Sequence, residues 1–488
     1  MKKLPSSILY RINTLLLLVL VVFKPHSMHA QEANVLVFDA FYDQVIKFHP
    51  TAKAANLLPD MAKAELRSAR GAFDPVVQAN MRGKQTNDKN SYQYIEPQIK
   101  IPTFPGIDIK AGLDQSSGIS VNPEIGKFNE STGGTKDVQY QLFYAGVSVP
   151  LMRGLITDER RNELRQAQLL QGLNQAEQVS QINKLLLEAA KVYWDWQQSY
   201  AQFKLMQENF LLAQNRINFI VQRILAGEEK PIDSVEAWVE YQRREALLLE
   251  QSLVFQNAGL TLSNFLWNDQ GQPLQLLPNI VPSPIGSNIQ KINADSIQKL
   301  SAIANTAHPE LLKLQFKLKQ SELDRKLAVE NLKPQLNLDY IPFQSYTAGS
   351  KDEVDALFMR NYKYGLSFYT SVFLRKERGK LQLTNYKIQQ NQFQLQQGKR
   401  EIDNRILIAY NQLLTAEQMI EIQQRLVQNA SLLRNAEELR FESGESSLFL
   451  INQRERALLE AQSKLAELTA KYAKAKYQLQ WASGAKLF

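Results

Sequence analysis

The sequence predicts a mainly α-helical chain with a β-barrel portion: long coiled helices, and four strands per chain that other copies must complete. Three observations carry this. One apolar seam runs through a proline-free stretch from Leu155 to Ala226. The same order of helix, strand text and long helix occurs twice. Short alternating runs rich in aromatics lie between the helices, in a chain with an export leader and no later apolar run of membrane-spanning length.

The seam begins at Ile182, Leu186, Ala189, Tyr193 and Trp196 and continues to Ile217, Ile220 and Ile224. Its steps alternate between 4 and 3 with one 3–3 irregularity, the roughly 3.5-residue repeat of a helix packed along another helix. At about 1.5 Å per residue, an unbroken helix here is on the order of 100 Å long.

Composition excludes several function classes. The formal charge is +8. Lys2, Lys3, Arg11 and Lys24 supply four of these charges, in a segment without acids, so the remainder is +4 with its signs interspersed. There is no basic patch of the kind nucleic acid requires. The chain has no cysteine, hence no disulfide, thiolate metal site, cysteine nucleophile or cysteine-borne lipid anchor. A mean hydropathy of −0.33 speaks against a bundle of membrane-spanning helices. Residues 1–30 read as a signal peptide: a basic start, an apolar run from Leu15 to Phe23, and a cut after Ala30. A mature chain that crosses a membrane would then do so with strands.

Two structural repeats follow, 31–286 and 287–488. The first holds a helix over about 34–72, strand text over about 74–150 and a long helical hairpin over 155–268 with its turn at Gly227. A connector with four prolines lies between Gly271 and Gly286. The second holds a helix opened by His308-Pro309, strand text over about 335–374 and a hairpin over 376–483 with its turn at Gly444. Pro50 to Pro75 and Pro309 to Pro334 are both 25 residues. In the second strand region Tyr362, Tyr364, Leu366 and Phe368 share one parity, which Thr370, Val372 and Leu374 extend. The first half carries about 40 extra residues within its strand region, as exposed loops tolerate. Ile95–Lys100 and Ile107–Lys110 are among them, and the expectation is extra strand pairs outside the barrel.

Two strands per half make four per chain. Four strands cannot close a barrel that passes anything, and open edges are not tolerated in lipid. Barrel closure therefore demands an oligomer, twelve-stranded if three chains join.

The tandem order, the entries to strand text at Phe73-Asp74-Pro75 and Leu332-Lys333-Pro334-Gln335-Leu336, and the turns Leu225-Ala226-Gly227-Glu228 and Glu442-Ser443-Gly444-Glu445 resemble the TolC-type outer-membrane efflux proteins. The resemblance covers essentially all of the mature chain. His49-Pro50 and His308-Pro309 stand where that family often has Asn-Pro. The resemblance implies a homotrimer with a twelve-stranded barrel in outer-membrane lipid and a twelve-helix barrel in the periplasm. A periplasmic adaptor protein and an inner-membrane pump would dock at the far end. Cargo would be small molecules in an efflux system, or a protein or peptide in a type I secretion system. An exported coiled-coil scaffold without a pore is the competing class.

The resemblance points to Ala226, Gly227, Ser443 and Gly444 as adaptor contacts, where small residues let a partner backbone approach. Acids crowd the same turns: Glu228, Glu229 and Asp233, then Glu442 and Glu445. Tripled by symmetry, Asp233 and Glu445 are candidates for an acidic ring facing the lumen, which selects cations. His49 and His308 lack metal-ligand spacing and read as helix-start residues. No catalytic motif is present, and no cofactor is expected. Tyr140, Tyr144, Tyr340, Phe343, Tyr346, Tyr362, Tyr364, Phe368 and Phe373 fit interfacial girdles.

Overall fold

The computed structural model of the chain describes residues 34–86, 89–118, 138–227, 230–284, 295–346 and 361–485. The expected leader 1–30 lies outside them, as do Glu228 and Glu229 and the side chains of Tyr140 and Tyr346. The elements in chain order are β1 (Asn34–Leu36), α1 (Phe38–Phe48), α2 (Pro50–Asn56), α3 (Leu58–Gly71), β2 (Val76–Thr86), β3 (Lys89–Pro102), β4 (Asp108–Gly118) and β5 (Val138–Pro150). Then come α4 (Glu159–Leu225), α5 (Pro231–Ser263), β6 (Ile280–Pro282), α6 (Asp295–Ala307), α7 (Pro309–Glu330), β7 (Gln335–Tyr346), β8 (Tyr362–Tyr369), α8 (Arg375–Glu442) and α9 (Leu448–Ala482). Among the described residues no helix is long and apolar enough to cross a membrane.

The chain forms two compact units, Met1–Phe48 with Ala189–Ile289 and Met419–Lys471, and His49–Glu188 with Gln290–Gln418 and Tyr472–Phe488. In the first unit, β1 pairs in parallel with β6, a link between distant segments that no short-range pattern announced. Phe38 and Phe41 of α1 pack on Tyr193 of α4 at ring separations of 5.1 and 5.5 Å. The Tyr193 hydroxyl donates to the Leu36 carbonyl at 2.7 Å, so the phenol is satisfied although its ring is fully buried, as buried tyrosines require. The seam of α4 is buried at Tyr193, Trp196, Ala213, Ile217 and Ile220 and half-buried at Tyr200, Phe203, Met206 and Phe210.

The second unit holds the sheet, in the order β2-β3-β4-β5-β7-β8, with every neighbouring pair antiparallel. It has six strands, the four expected of the barrel and one of the added pairs, which joins the same sheet. The extra residues of the first strand region form the hairpin β3–β4, which is laid into the sheet between β2 and β5. The sequence marks Ile95–Lys100 and Ile107–Lys110 as added strand but does not give their place between β2 and β5. A proline cannot donate to a ladder, and the pairing of β3 with β4 skips Glu96 and Pro97. Strand β8 ends at Tyr369, short of Val372 and Leu374, and Leu374 has φ 49, which ends the extended conformation.

Helices begin where the sequence marks them. His49 and His308 are both N-caps. The Nδ1 of His49 accepts from the Thr51 amide at 3.1 Å. The Nδ1 of His308 accepts from the Glu310 amide at 3.2 Å. Each imidazole thus does what the amide oxygen of asparagine does at such a position, with proline at the first helical position. Burial pushes the His308 imidazole down to about 4. Asp158 caps α4 by accepting from the Arg161 amide at 2.8 Å.

Candidate functional site at the two helix turns

The first turn joins α4 to α5 through Ala226 and Gly227, and the second joins α8 to α9 through Ser443 and Gly444. Gly227 has φ 76 and Gly444 φ 77, the left-handed conformation that ends helices and suits glycine. Their amides donate to the Ile224 and Phe441 carbonyls at 3.0 and 3.1 Å, and the Glu445 amide reaches the Arg440 carbonyl at 2.8 Å. These bonds satisfy some of the carbonyls at each helix end. All four small residues are exposed, and a Cβ built on either glycine meets no atom within 4 Å.

One apolar cluster carries both turns. Ile217 and Ile220 of α4, Ala237 of α5, Phe441 of α8, and Leu448 and Ile451 of α9 form it, with Ile224 and Tyr241 packed against it. The fold therefore brings the two glycine turns onto a common base. Outside that base the helix ends are apolar and open: Leu225 is 83% exposed, Ile232 65% and Leu439 65%.

Behind the cluster lies a buried ionic network. Arg216 of α4 is 2.5 Å from Glu455 of α9, and Arg244 of α5 is 2.6 Å from the other carboxylate oxygen of Glu455. Arg244 also contacts Glu240 at 2.9 Å, and Glu240 bonds to Arg456 of α9. Glu438 of α8 stands 3.8 Å from Arg216. Burial pushes the Glu240 carboxyl up, but hydrogen bonds from Arg456 and Arg244 outweigh this and hold it below the ordinary carboxylate range. Charges taken out of water persist only when paired and hydrogen-bonded. This network went unread in the sequence because its members are scattered from 216 to 456. The one local signal was Glu240 and Arg244, four apart on one helix face.

The two candidate acids differ. Asp233 sits in the first turn of α5, where its carboxylate accepts from the Lys230 amide at 3.2 Å, a capping duty at a helix N-terminus. Glu445 is exposed at the second turn. Among the described residues no group of three or more His, Cys, Asp or Glu could hold a metal ion.

Comparison with known proteins adds a family match over part of the chain and a fold. Residues 300–485 match the family model described as Outer membrane efflux protein. No curated protein matches the chain in sequence. Solved structures do match. The Campylobacter jejuni CmeC outer membrane channel is 13% identical with a TM-score of 0.61, over 91% of this chain and 85% of that one. The outer membrane protein VceC of Vibrio cholerae is 14% identical with a TM-score of 0.63, over 92% and 96%. The open state of the Neisseria gonorrhoeae MtrE outer membrane channel is 13% identical with a TM-score of 0.63, over 92% and 88%. The chain has the fold of these outer-membrane channels, and its residues 300–485 carry the sequence pattern of outer membrane efflux proteins.

Proposed function

We propose that this protein is the outer-membrane exit duct of a tripartite efflux system, passively conducting small molecules out of the cell. In this reading a leader, residues 1–30, directs export. The two repeats, 31–286 and 287–488, each give strands to a transmembrane barrel and a helical hairpin to a periplasmic tube. Three copies close both. The observation that supports this most is the two-faced sheet. In a chain whose described helices do not cross a membrane, six antiparallel strands turn apolar side chains to one face and mostly polar ones to the other, the pattern of an outer-membrane barrel wall.

The turns at Ala226-Gly227 and Ser443-Gly444 are the adaptor contacts of this duct. Their support is the open space at both glycines and the exposed apolar ends around them, a surface fit for a partner helix hairpin. Glu445 and Asp233 are the acids that threefold symmetry would gather into a ring, with Asp233 also capping its helix. Transport energy comes from the inner-membrane pump. The test is planar-bilayer conductance of the purified mature protein, with its oligomeric mass in the same detergent. A trimer with cation-preferring currents is the expected result; a soluble monomer that never enters the bilayer overturns the reading.

A further inference from the structure

We infer that each chain gives six strands to the barrel, so that three copies close an eighteen-stranded wall through β8 of one copy and β2 of the next. This rests on the exit-duct reading and refines it.

The first support is the continuity of both faces through the inserted hairpin. Residues directly opposite in a ladder share a face. Ile101 pairs with Ile109, Ile109 with Val147, Val147 with Tyr340, and Tyr340 with Tyr364. This is one unbroken apolar row across β3, β4, β5, β7 and β8. One residue along each strand, the row on the other face reads Pro102, Asp108, Ser148, Asp339 and Gly365. Strand β2 joins the same pattern, with Val77 opposite Ile99 and Met81 opposite Ile95. A hairpin lying outside a barrel would have no reason to keep the alternation of its neighbours in phase.

Length is the second support. A strand tilted across a bilayer needs about 9–11 residues. Strand β3 has 14 and β4 has 11, so both can cross.

Curvature is the third. Lys110 of β4 reaches Asp339 of β7 at 3.1 Å, and Lys363 of β8 reaches Asp114 of β4 at 3.5 Å. Strands β4 and β8 are three steps apart, about 14 Å in a flat sheet at about 4.8 Å per step. The sheet therefore curls with its polar face inward, and β3–β4 follows that curl. Strands β2 and β8 end the order, each paired on one side. A bare edge is not tolerated in lipid, and a second copy of this chain presents the matching edge with the same two faces. Barrel diameter grows about linearly with strand number, so eighteen strands give a wall roughly one and a half times as wide as twelve.

The chain has no cysteine, so single spin labels can be placed cleanly. Labels at Ile99→Cys, Ile109→Cys and, on β8, Leu366→Cys are compared in lipid vesicles for collision with oxygen and with a water-soluble nickel reagent. All three sites should be open to oxygen and shielded from nickel. Shielding at Leu366 with nickel access at Ile99 and Ile109 would place the hairpin outside the barrel and overturn the inference, leaving the duct intact. Nickel access at all three would overturn the membrane reading itself. Electron cryomicroscopy of the same oligomer in nanodiscs then counts strands directly: eighteen supports the inference and twelve refutes it.

Discussion

Arg244 of α5 and Glu455 of α9 meet in the interior, Nη2 to carboxylate oxygen at 2.6 Å, with 4% and 2% of their side chains exposed. Removing one partner of such a pair leaves an uncompensated buried charge and costs about 3–5 kcal/mol. Glu455→Ala should therefore melt well below the wild type, because Arg244 keeps only Glu240 and Arg216 keeps only the longer contact to Glu438. Replacing both members by apolar residues of similar volume, Arg244→Met with Glu455→Leu, should recover part of the loss, since Arg216 still lacks Glu455. Thermal loss of helical circular dichroism in detergent measures this. A single variant as stable as the wild type would show that water already reaches the network.

His308 makes the protein sensitive to mild acid. Its imidazole titrates near 4 when folded against 6.5 ordinarily. A base whose folded value is depressed binds more protons when unfolded, so its contribution is whole above pH 6.5 and declines as pH falls toward 4. The decline is about 1.4 kcal/mol per pH unit over that window. Glu310 opposes the shift, while Arg405 and Lys313 add to burial. His308→Asn keeps a capping acceptor and removes the titration. Stability measured at pH 7.5 and 4.5 should fall less in the variant than in the wild type; equal falls would refute the assignment.

The turn glycines separate folding from docking. Asparagine tolerates the left-handed conformation, so Gly227→Asn and Gly444→Asn should fold and transport at close to wild-type levels. A Cβ at Gly227 or Gly444 meets no atom within 4 Å, so the cost of a tryptophan there is the left-handed backbone, and it would fill the surface assigned to the adaptor. The tryptophan variants should keep normal trimer levels and lose most transport, read as drug accumulation in cells carrying the pump. Wild-type transport in both would sink the adaptor assignment.

Gly146-Val147-Ser148 and Gly365-Leu366-Ser367 correspond between the two repeats, but the two glycines pack differently. A Cβ at Gly146 would stand 2.5 Å from the Tyr340 carbonyl oxygen and 2.7 Å from the Ile341 Cα. At Gly365 the nearest atom is the Asp339 Cβ at 3.7 Å. Gly146→Leu should push β5 from β7, at a cost of about 1–3 kcal/mol or more, while Gly365→Ala should be accepted. Heat-modifiable migration on gels reports the assembled barrel. Its loss in the first variant and persistence in the second is the expected pair of outcomes.

The helices were legible because one physical rule governs them along their whole length. Ile182 through Ile224 repeat every three or four residues, and Gly227 and Gly444 interrupt the text at single points. The strands obey a shorter rule, and a few residues can mask it. Ile95, Ile99 and Ile101 alternate with Glu96, Gln98 and Lys100, which is legible as added strand. Pro97, Pro102 and Pro105 interrupt it, and nothing in the alternation says that the added pair lies between β2 and β5. The turns were placed by glycine, but their base was not, since Phe441 and Ile217 become neighbours only through the fold. The ionic network was least legible of all. Nothing near Glu455 in sequence says that Arg216 and Arg244 arrive beside it.

The paired-on-one-side strands β2 and β8 also bear on how the protein is made. Under the exit-duct proposal, a newly exported copy would carry two bare ladders and a greasy sheet face through water before meeting its partners. Like edges attract like edges, so productive assembly and misassociation draw on the same encounter and both accelerate with concentration. Arg82, tied to Glu96 at 2.9 Å, puts a charge on the β2 margin, a device that slows indiscriminate strand addition. Yield in overproducing cells should therefore be limited by the traffic of unassembled copies and raised by slower synthesis.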